Sequence, residues 1–347
     1  MSDEESDFNL KVVSVGLIIF VGLMIFLFGI IFVQEDKENT SFCGDGTSYG
    51  NCSLNKPYFC DNGFLVERAS VCGCSNILDI KDDLCVSEYY IFPKNLNLRY
   101  FLRGEENSIN FVVYEGLADY ISELPRSINY EGSEIPLRSD FKIRNINEEN
   151  QRGALLPLVV QIQNIANDKE DQVRIAVSIV QNIPFGGSDK IVGFGSNLGV
   201  NYSRYPYEVL YEMQGVCGEK SELLAFLLRE LGYEVVIFYY NEENHEAVGV
   251  RCPLENSVLN TEYCFIETSG ISIISDDELE YAEEIRLYSE PEIIFISEGD
   301  SLGYDLYEYK DAEYLIRIRD KGVINYFDKY KLRKLQEKYA LDESYNI

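Results

Sequence analysis

The chain has 347 residues, 46% of them hydrophobic, with 59 acidic against 30 basic side chains and a net charge of −29. That length and apolar content allow a sizeable core and two or three domains. The charge argues against nucleic acid as a partner, because phosphate binding needs a positive footprint, and it reads instead as a hydrated, soluble surface. No acidic cluster has the spacing of a calcium loop, and neither metal nor cofactor is expected.

Residues 1–11 form a short acidic tail, Asp3, Glu4, Glu5 and Asp7 among them. Residues 12–33 then run without a charge: VVSVGLIIFVGLMIFLFGIIFV. At about 1.5 Å per residue such a helix spans roughly 33 Å, enough for a bilayer core. A cleaved signal peptide would show a basic start, a shorter apolar run and a small-residue cleavage site. The acidic tail and the polar 34–42 segment that follows favour an uncleaved signal anchor. Lys11 and Lys37 flank the run on either side, so positive charge does not orient it.

The cysteines supply the orientation. Six of the nine lie in the segment 43–85: Cys43, Cys52, Cys60, Cys72, Cys74 and Cys85. Zinc sites prefer paired C-x₂₋₄-C knuckles, which this spacing does not offer, so the segment is expected to be a three-disulfide module of unassigned connectivity. Disulfides belong to oxidising compartments, which places everything after the anchor outside the cell. Sequons at Asn39, Asn51 and Asn201 lie on that side as possible glycosylation sites. Cys252 and Cys264 flank a loop between two strand-like runs and are read as a fourth pair. Cys217 is left over.

Residues 86–147 read as β-rich, with alternating runs from Tyr89 to Tyr114 and an irregular stretch over 124–147. The last segment, 148–347, opens with helical spacing over 155–165 and 173–183, stopped by Pro184, and continues as a Gly/Ser-rich loop over 186–204. A short helix is expected over 205–213 and a clear one over 219–231, capped by Gly232. Short strands follow at 235–240, 247–251, 263–267 and 293–296, and a final amphipathic helix at 324–339. The fold class expected is α+β.

Cys217 sits in Gly215-Val216-Cys217-Gly218, directly ahead of the clear helix. Exposed N–H groups and the helix dipole there favour a thiolate, although Glu219 and Glu222 oppose it. His245 is the single histidine of the chain, so only it can be an imidazole base. If 247–251 and 263–267 are antiparallel neighbours, with 245 opposite 267, His245 meets Glu267 across the pair. A helix start packed on that end of the sheet then brings Cys217 to the other side of the ring. Taken singly, each residue has a plainer reading: a small buried cysteine, a solvated turn histidine, a surface glutamate. Order and cysteine count together favour a Cys–His–carboxylate set. With that strict register, residue 252 would face 260, so a Cys252–Cys264 bond would need a bulge or a folded-back loop.

The runs GVCGEKSELLAFLLRELGYEVVIFYY, NHEAVGV and FIETSG resemble the Cys, His and acid blocks of the transglutaminase-like superfamily, whose fold is of the papain type. The resemblance covers roughly 170–270. It implies Cys217 as nucleophile, His245 as base and Glu267 as orienting acid in a cysteine protease or acyltransferase acting on peptide or protein amides, here on a chain read as anchored by its 12–33 run. It also allows an inactive peptide- or glycan-binding module that keeps the fold. Two features depart from the family pattern: Glu267 stands where Asp is usual, and the chain has no Trp. The oxyanion donors expected here are the Cys217 N–H and, as the second, the Gln214 side chain or a nearby tyrosine.

Overall fold

Eight cysteines pair in the computed structural model, which describes residues 42–75, 77–128, 135–194, 198–278, 286–321 and 323–341. The expected anchor at 12–33 and the sequon at Asn39 lie outside the described residues. Among the described residues no helix is long and apolar enough to cross a membrane. Cys43–Cys60, Cys52–Cys72 and Cys74–Cys85 staple two small hairpins, β1 (Tyr58–Asp61) with β2 (Phe64–Glu67) and β3 (Asp79–Lys81) with β4 (Leu84–Val86), around the one-turn helix α1 (Ala69–Cys72). Asn51 is exposed beside this framework.

The alternating run that follows is one long hairpin, β5 (Pro93–Leu102) and β6 (Glu105–Tyr114). Leu96, Leu98, Tyr100, Ile109, Phe111 and Val113 all point to its buried face, as the period of two requires. Two helices come next, α2 (Glu115–Ser122) and α3 (Arg138–Ile146). The second corrects the irregular stretch expected over 124–147. Its buried residues are Lys142, Asn145 and Ile146, so its inward face is mostly polar and leaves little apolar periodicity to read.

Helices α4 (Glu149–Ile165) and α5 (Lys169–Gln181) form the middle of the molecule. Asp168 starts the second by accepting from the Asp171 N–H at 2.8 Å. Asn164 on α4 exchanges two hydrogen bonds with the Leu65 backbone, which continues the disulfide-linked hairpin into the helical layer. One core runs accordingly from Tyr58, Cys60 and Leu65 through α4 and α5 to the helix that bears Cys217. The expected 186–204 loop holds a short hairpin instead, β7 (Ile191–Phe194) with β8 (Leu198–Asn201), and the Asn201 sequon lies at its end.

Helices α6 (Pro206–Glu212) and α7 (Cys217–Glu230) lead into a four-stranded antiparallel sheet of order β11-β10-β9-β12: β9 (Val235–Tyr240), β10 (His245–Arg251), β11 (Tyr263–Ile266) and β12 (Glu292–Ser297). All six residues of β9 are buried, because both faces of the strand are covered. Val235, Ile237 and Tyr239 join the main core, while Val236, Phe238 and Tyr240 pack with Phe265 in a second one. Gly249 makes that second packing possible, since a Cβ there would come within 2.8 Å of the Phe238 ring. Helices α8 (Tyr307–Asp320) and α9 (Tyr326–Tyr339) close the chain. The first was not expected from the sequence, and its buried face mixes Glu308 and Asp311 with Ala312, Leu315 and Ile318.

The sheet register corrects one expectation and fulfils another. Val248 faces Ile266 and Arg251 faces Tyr263, so the ladder continued by one step sets Glu267 level with Ala247, not with His245. That two-residue shift brings Cys252 to the Glu262 carbonyl, which accepts its N–H at 2.9 Å. The intervening residues coil into two 3₁₀ turns, Leu254–Asn256 and Val258–Asn260. The Cys252–Cys264 bond therefore closes with a Cα separation of 5.7 Å and no bulge in the ladder.

Candidate active site

Cys217 is the first residue of α7 and the one free cysteine of the chain. Its position follows from local geometry on either side. Met213, at φ 52°, ends α6 in the left-handed region, and Gly215 lets the chain pass close over the stem of Lys220, where a Cβ would sit 3.1 Å from that side chain's Cγ. Glu219, at the third helical position, accepts from the Val216 N–H at 3.0 Å and so starts the helix. Helix α7 then packs on β9 and β10 and against α3, α5 and α6, with Leu223, Leu224, Phe226, Leu227 and Leu228 fully buried.

His245 opens β10 opposite Tyr240. Asn244, at φ 49°, makes the turn that starts the strand, a conformation asparagine tolerates better than most residues. Glu267 follows β11 and is buried. Gln181 on α5 fixes its backbone, donating from Nε2 to the Glu267 carbonyl at 2.9 Å. The Ser269 N–H donates to Oε1 at 2.7 Å, and Oε2 lies 2.9 Å from Nε2 of His245. The Cys217 side chain lies close enough to the same imidazole to help hold it charged. The three residues singled out from the sequence thus converge, although the register differs from the one that motivated the pairing.

The electrostatics favour a charged imidazole. Burial alone would lower the His245 pKa, but the Glu267 carboxylate and the Cys217 sulfur more than offset it and hold the ring up at about 10. Burial would likewise raise Glu267, but the charged ring and the Ser269 N–H hold it below the usual carboxylate range.

Glu219 and Glu222 were expected to oppose a thiolate. Both are neutralised by segments far away in sequence. Glu219 accepts from the Arg204 guanidinium at 3.1 Å and from the Arg204 N–H at 2.8 Å. Glu222 is buried against Lys142 at 2.7 Å and Asn145 at 3.1 Å. Lys142 also meets Glu246 at 2.6 Å, and Arg138 meets Glu246 at 2.9 Å while lying over the Tyr239 ring. Thr268 ties the acid-bearing turn to α7, donating to the Cys217 carbonyl at 3.2 Å.

Gln214 precedes Gly215, whose carbonyl accepts from the Gly186 N–H at 3.1 Å. The Gln214 amide lies directly over Gly186, where any Cβ would collide with it. The side chain is thus held three residues ahead of the α7 start. Among the described residues no three His, Cys, Asp or Glu side chains gather as a metal site.

The sequence reading passed over Lys220, Lys142, Arg204 and Gln181. Lys220 did leave a signal: it stands at 220 in the row 220, 223, 224, 227, 231, the apolar face of α7. No family model and no curated protein matches this chain.

Proposed function

We propose that the chain is a membrane-anchored thiol enzyme that transfers acyl groups from peptide or protein amides, with a transglutaminase-like domain of the papain type facing an oxidising compartment. The observation that carries the reading is the 2.9 Å bond from the only histidine to buried Glu267, with the only free thiol acting on the same ring. The Cys217 thiolate attacks the amide carbonyl and forms a C–S bond. The oxyanion receives the Cys217 N–H at the helix start and the Gln214 amide as second donor. His245, held protonated by Glu267, gives its proton to the departing nitrogen as the C–N bond breaks, leaving a thioester and a free amine. Water or a second amine then attacks the thioester, His245 takes the proton of the attacking group, and the thiolate leaves. Hydrolysis releases an acid, and aminolysis joins two chains through a new amide.

Activity of the full chain on a peptide library, with and without an added primary amine, tests this. The expected results are cleaved peptides alone or amine-bearing adducts, absent in either case from Cys217→Ala. No acid or adduct formation by wild-type protein, with a Cys217 thiol that alkylates no faster than free cysteine, would favour the non-catalytic binding module instead.

The four disulfides support the outward placement. Protein isolated from its native membrane without reductant is expected to show one free thiol per chain by intact mass after alkylation. Several free thiols in such a preparation would put the domain in a reducing compartment and withdraw the placement.

A further inference from the structure

We propose that Lys220 is a positioning residue of the acyl-transfer site, supplying the buried positive charge that holds Cys217 as a thiolate beside a protonated His245. The proposal rests on the acyl-transfer reading for its purpose but not for its test.

Lys220 is fully buried one helical turn after Cys217. Its ammonium finds no carboxylate within ion-pair distance among the described residues. It donates to backbone carbonyls only, those of Ile183 at 2.6 Å, Ser269 at 3.4 Å and Gln181 at 3.5 Å. A buried ammonium without a counter-ion is unfavourable, and an apolar residue at this position of α7 would pack without that cost. Burial lowers the Lys220 pKa, and Glu267 and Cys217 are the two side chains that oppose the fall.

Charge balance gives the ammonium its use. A thiolate, an imidazolium and the Glu267 carboxylate together carry one net negative charge in a buried site. Lys220 brings the sum to zero. The other charged groups around α7 are neutralised among themselves: Glu219 with Arg204, and Glu222 and Glu246 with Lys142 and Arg138. Among the described residues they leave no spare cation for the thiolate. The three carbonyls that hold the ammonium come from the end of α5 and the turn after Glu267, the same two segments that position Glu267. Burial leaves Lys220 lowered to about 8 even so, which makes its charge sensitive to the state of the sulfur.

Two measurements on the full chain in detergent test the role. The first is the pH dependence of Cys217 alkylation by iodoacetamide, which needs no substrate. In Lys220→Met the acid limb is expected to move up by about one pH unit, so that the rate at pH 6 falls about tenfold while the alkaline plateau is kept. Lys220→Arg is expected to restore the wild-type limb. A folded Lys220→Met protein with an unmoved acid limb overturns the proposal. The second measurement does not depend on that variant folding. The titration of Lys220 is followed by the NMR signal of its labelled ε-carbon in wild type and in Cys217→Ser. Coupling is reciprocal, so loss of the thiolate is expected to lower the Lys220 midpoint by about one unit. Equal midpoints in the two proteins also overturn the proposal. A wild-type protein with a shifted thiol but no acyl transfer would instead remove the enzymatic reading and leave the Lys220 coupling standing.

Discussion

Replacing His245 with alanine is expected to lower the rate of Cys217 acylation by about 10⁴-fold or more, because no second histidine exists to act as the acid and base. The effect should be a loss of kcat with little change in folding, since the ring lies at the start of β10 while the strand's core residues stay in place. Alkylation of Cys217 at pH 7 should slow in the same variant, as the charged imidazole near the sulfur is gone. Glu267→Gln is expected to do less, about 10²–10⁴-fold, because an amide still reaches the ring nitrogen but no longer favours its charge. The pH profile separates the two. A histidine held up at about 10 has its stabilising partnership complete below the ordinary pKa near 6.5 and loses it as pH rises through about 10. Wild-type activity should therefore persist to about pH 9 and fall beyond it. In Glu267→Gln the alkaline limb should drop toward neutrality. On the acid side the lowered carboxyl gives stability that is present above its unfolded pKa and is lost as pH falls through the folded one. Full acylation activity in His245→Ala would end the catalytic reading.

The largest expected effect on stability belongs to Lys142. Its ammonium is shared by Glu222 at 2.7 Å and Glu246 at 2.6 Å, and side-chain exposure is 1% for the first and 6% for the second. Lys142→Met leaves two buried carboxylates with Asn145 and Arg138 as their remaining partners, a loss of about 3–5 kcal/mol by analogy with other broken buried pairs. For a domain of this size that corresponds to a fall in Tm on the order of 10 °C. The pH dependence identifies the cause. Burial already raises Glu222, opposed by Lys142. Without the lysine it rises further, and a carboxyl raised in the folded state favours folding below its unfolded pKa and disfavours it as pH increases. The gap between Lys142→Met and wild type should narrow from pH 8 to pH 5, as measured by thermal or urea unfolding. A variant as stable as wild type at pH 8 would mean that solvent reaches both carboxylates. Loss of this network should also disturb the site, because Glu246 follows His245 directly and lies beside Gly218, where a Cβ would come within 2.7 Å of its carboxylate.

Much of this molecule was legible before any fold was at hand. Cysteine arithmetic separated Cys217 from eight partners, and the structure pairs those eight. A single histidine leaves no choice of imidazole. Apolar spacing placed α5, α7 and α9 and the strands β9, β10, β11 and β12 to within a few residues, and found α4 from six residues inside its start, because local periodicity follows directly from which side of an element faces the core. Where the inward face is polar, that signal disappears. Helix α3 buries a lysine and an asparagine, and α8 buries a glutamate and an aspartate, so neither shows an apolar stripe.

The sequence by itself determined the chemical inventory of the site: one thiol, one imidazole, a carboxylate on the next strand end, and the chain order that lets them meet. Only the tertiary structure decided how they meet. The register of β10 against β11 is set by packing on both faces of the sheet, and it moved Glu267 by two positions while still delivering its carboxylate to the ring. The balance of charge around Cys217 was equally hidden. Glu222 finds Lys142 across 80 residues and Glu219 finds Arg204 across 15, while Lys220 is turned inward on an otherwise apolar face. A charge in a sequence has a sign but no partner. Its effect on a thiolate depends on distance and burial, and both are properties of the folded chain.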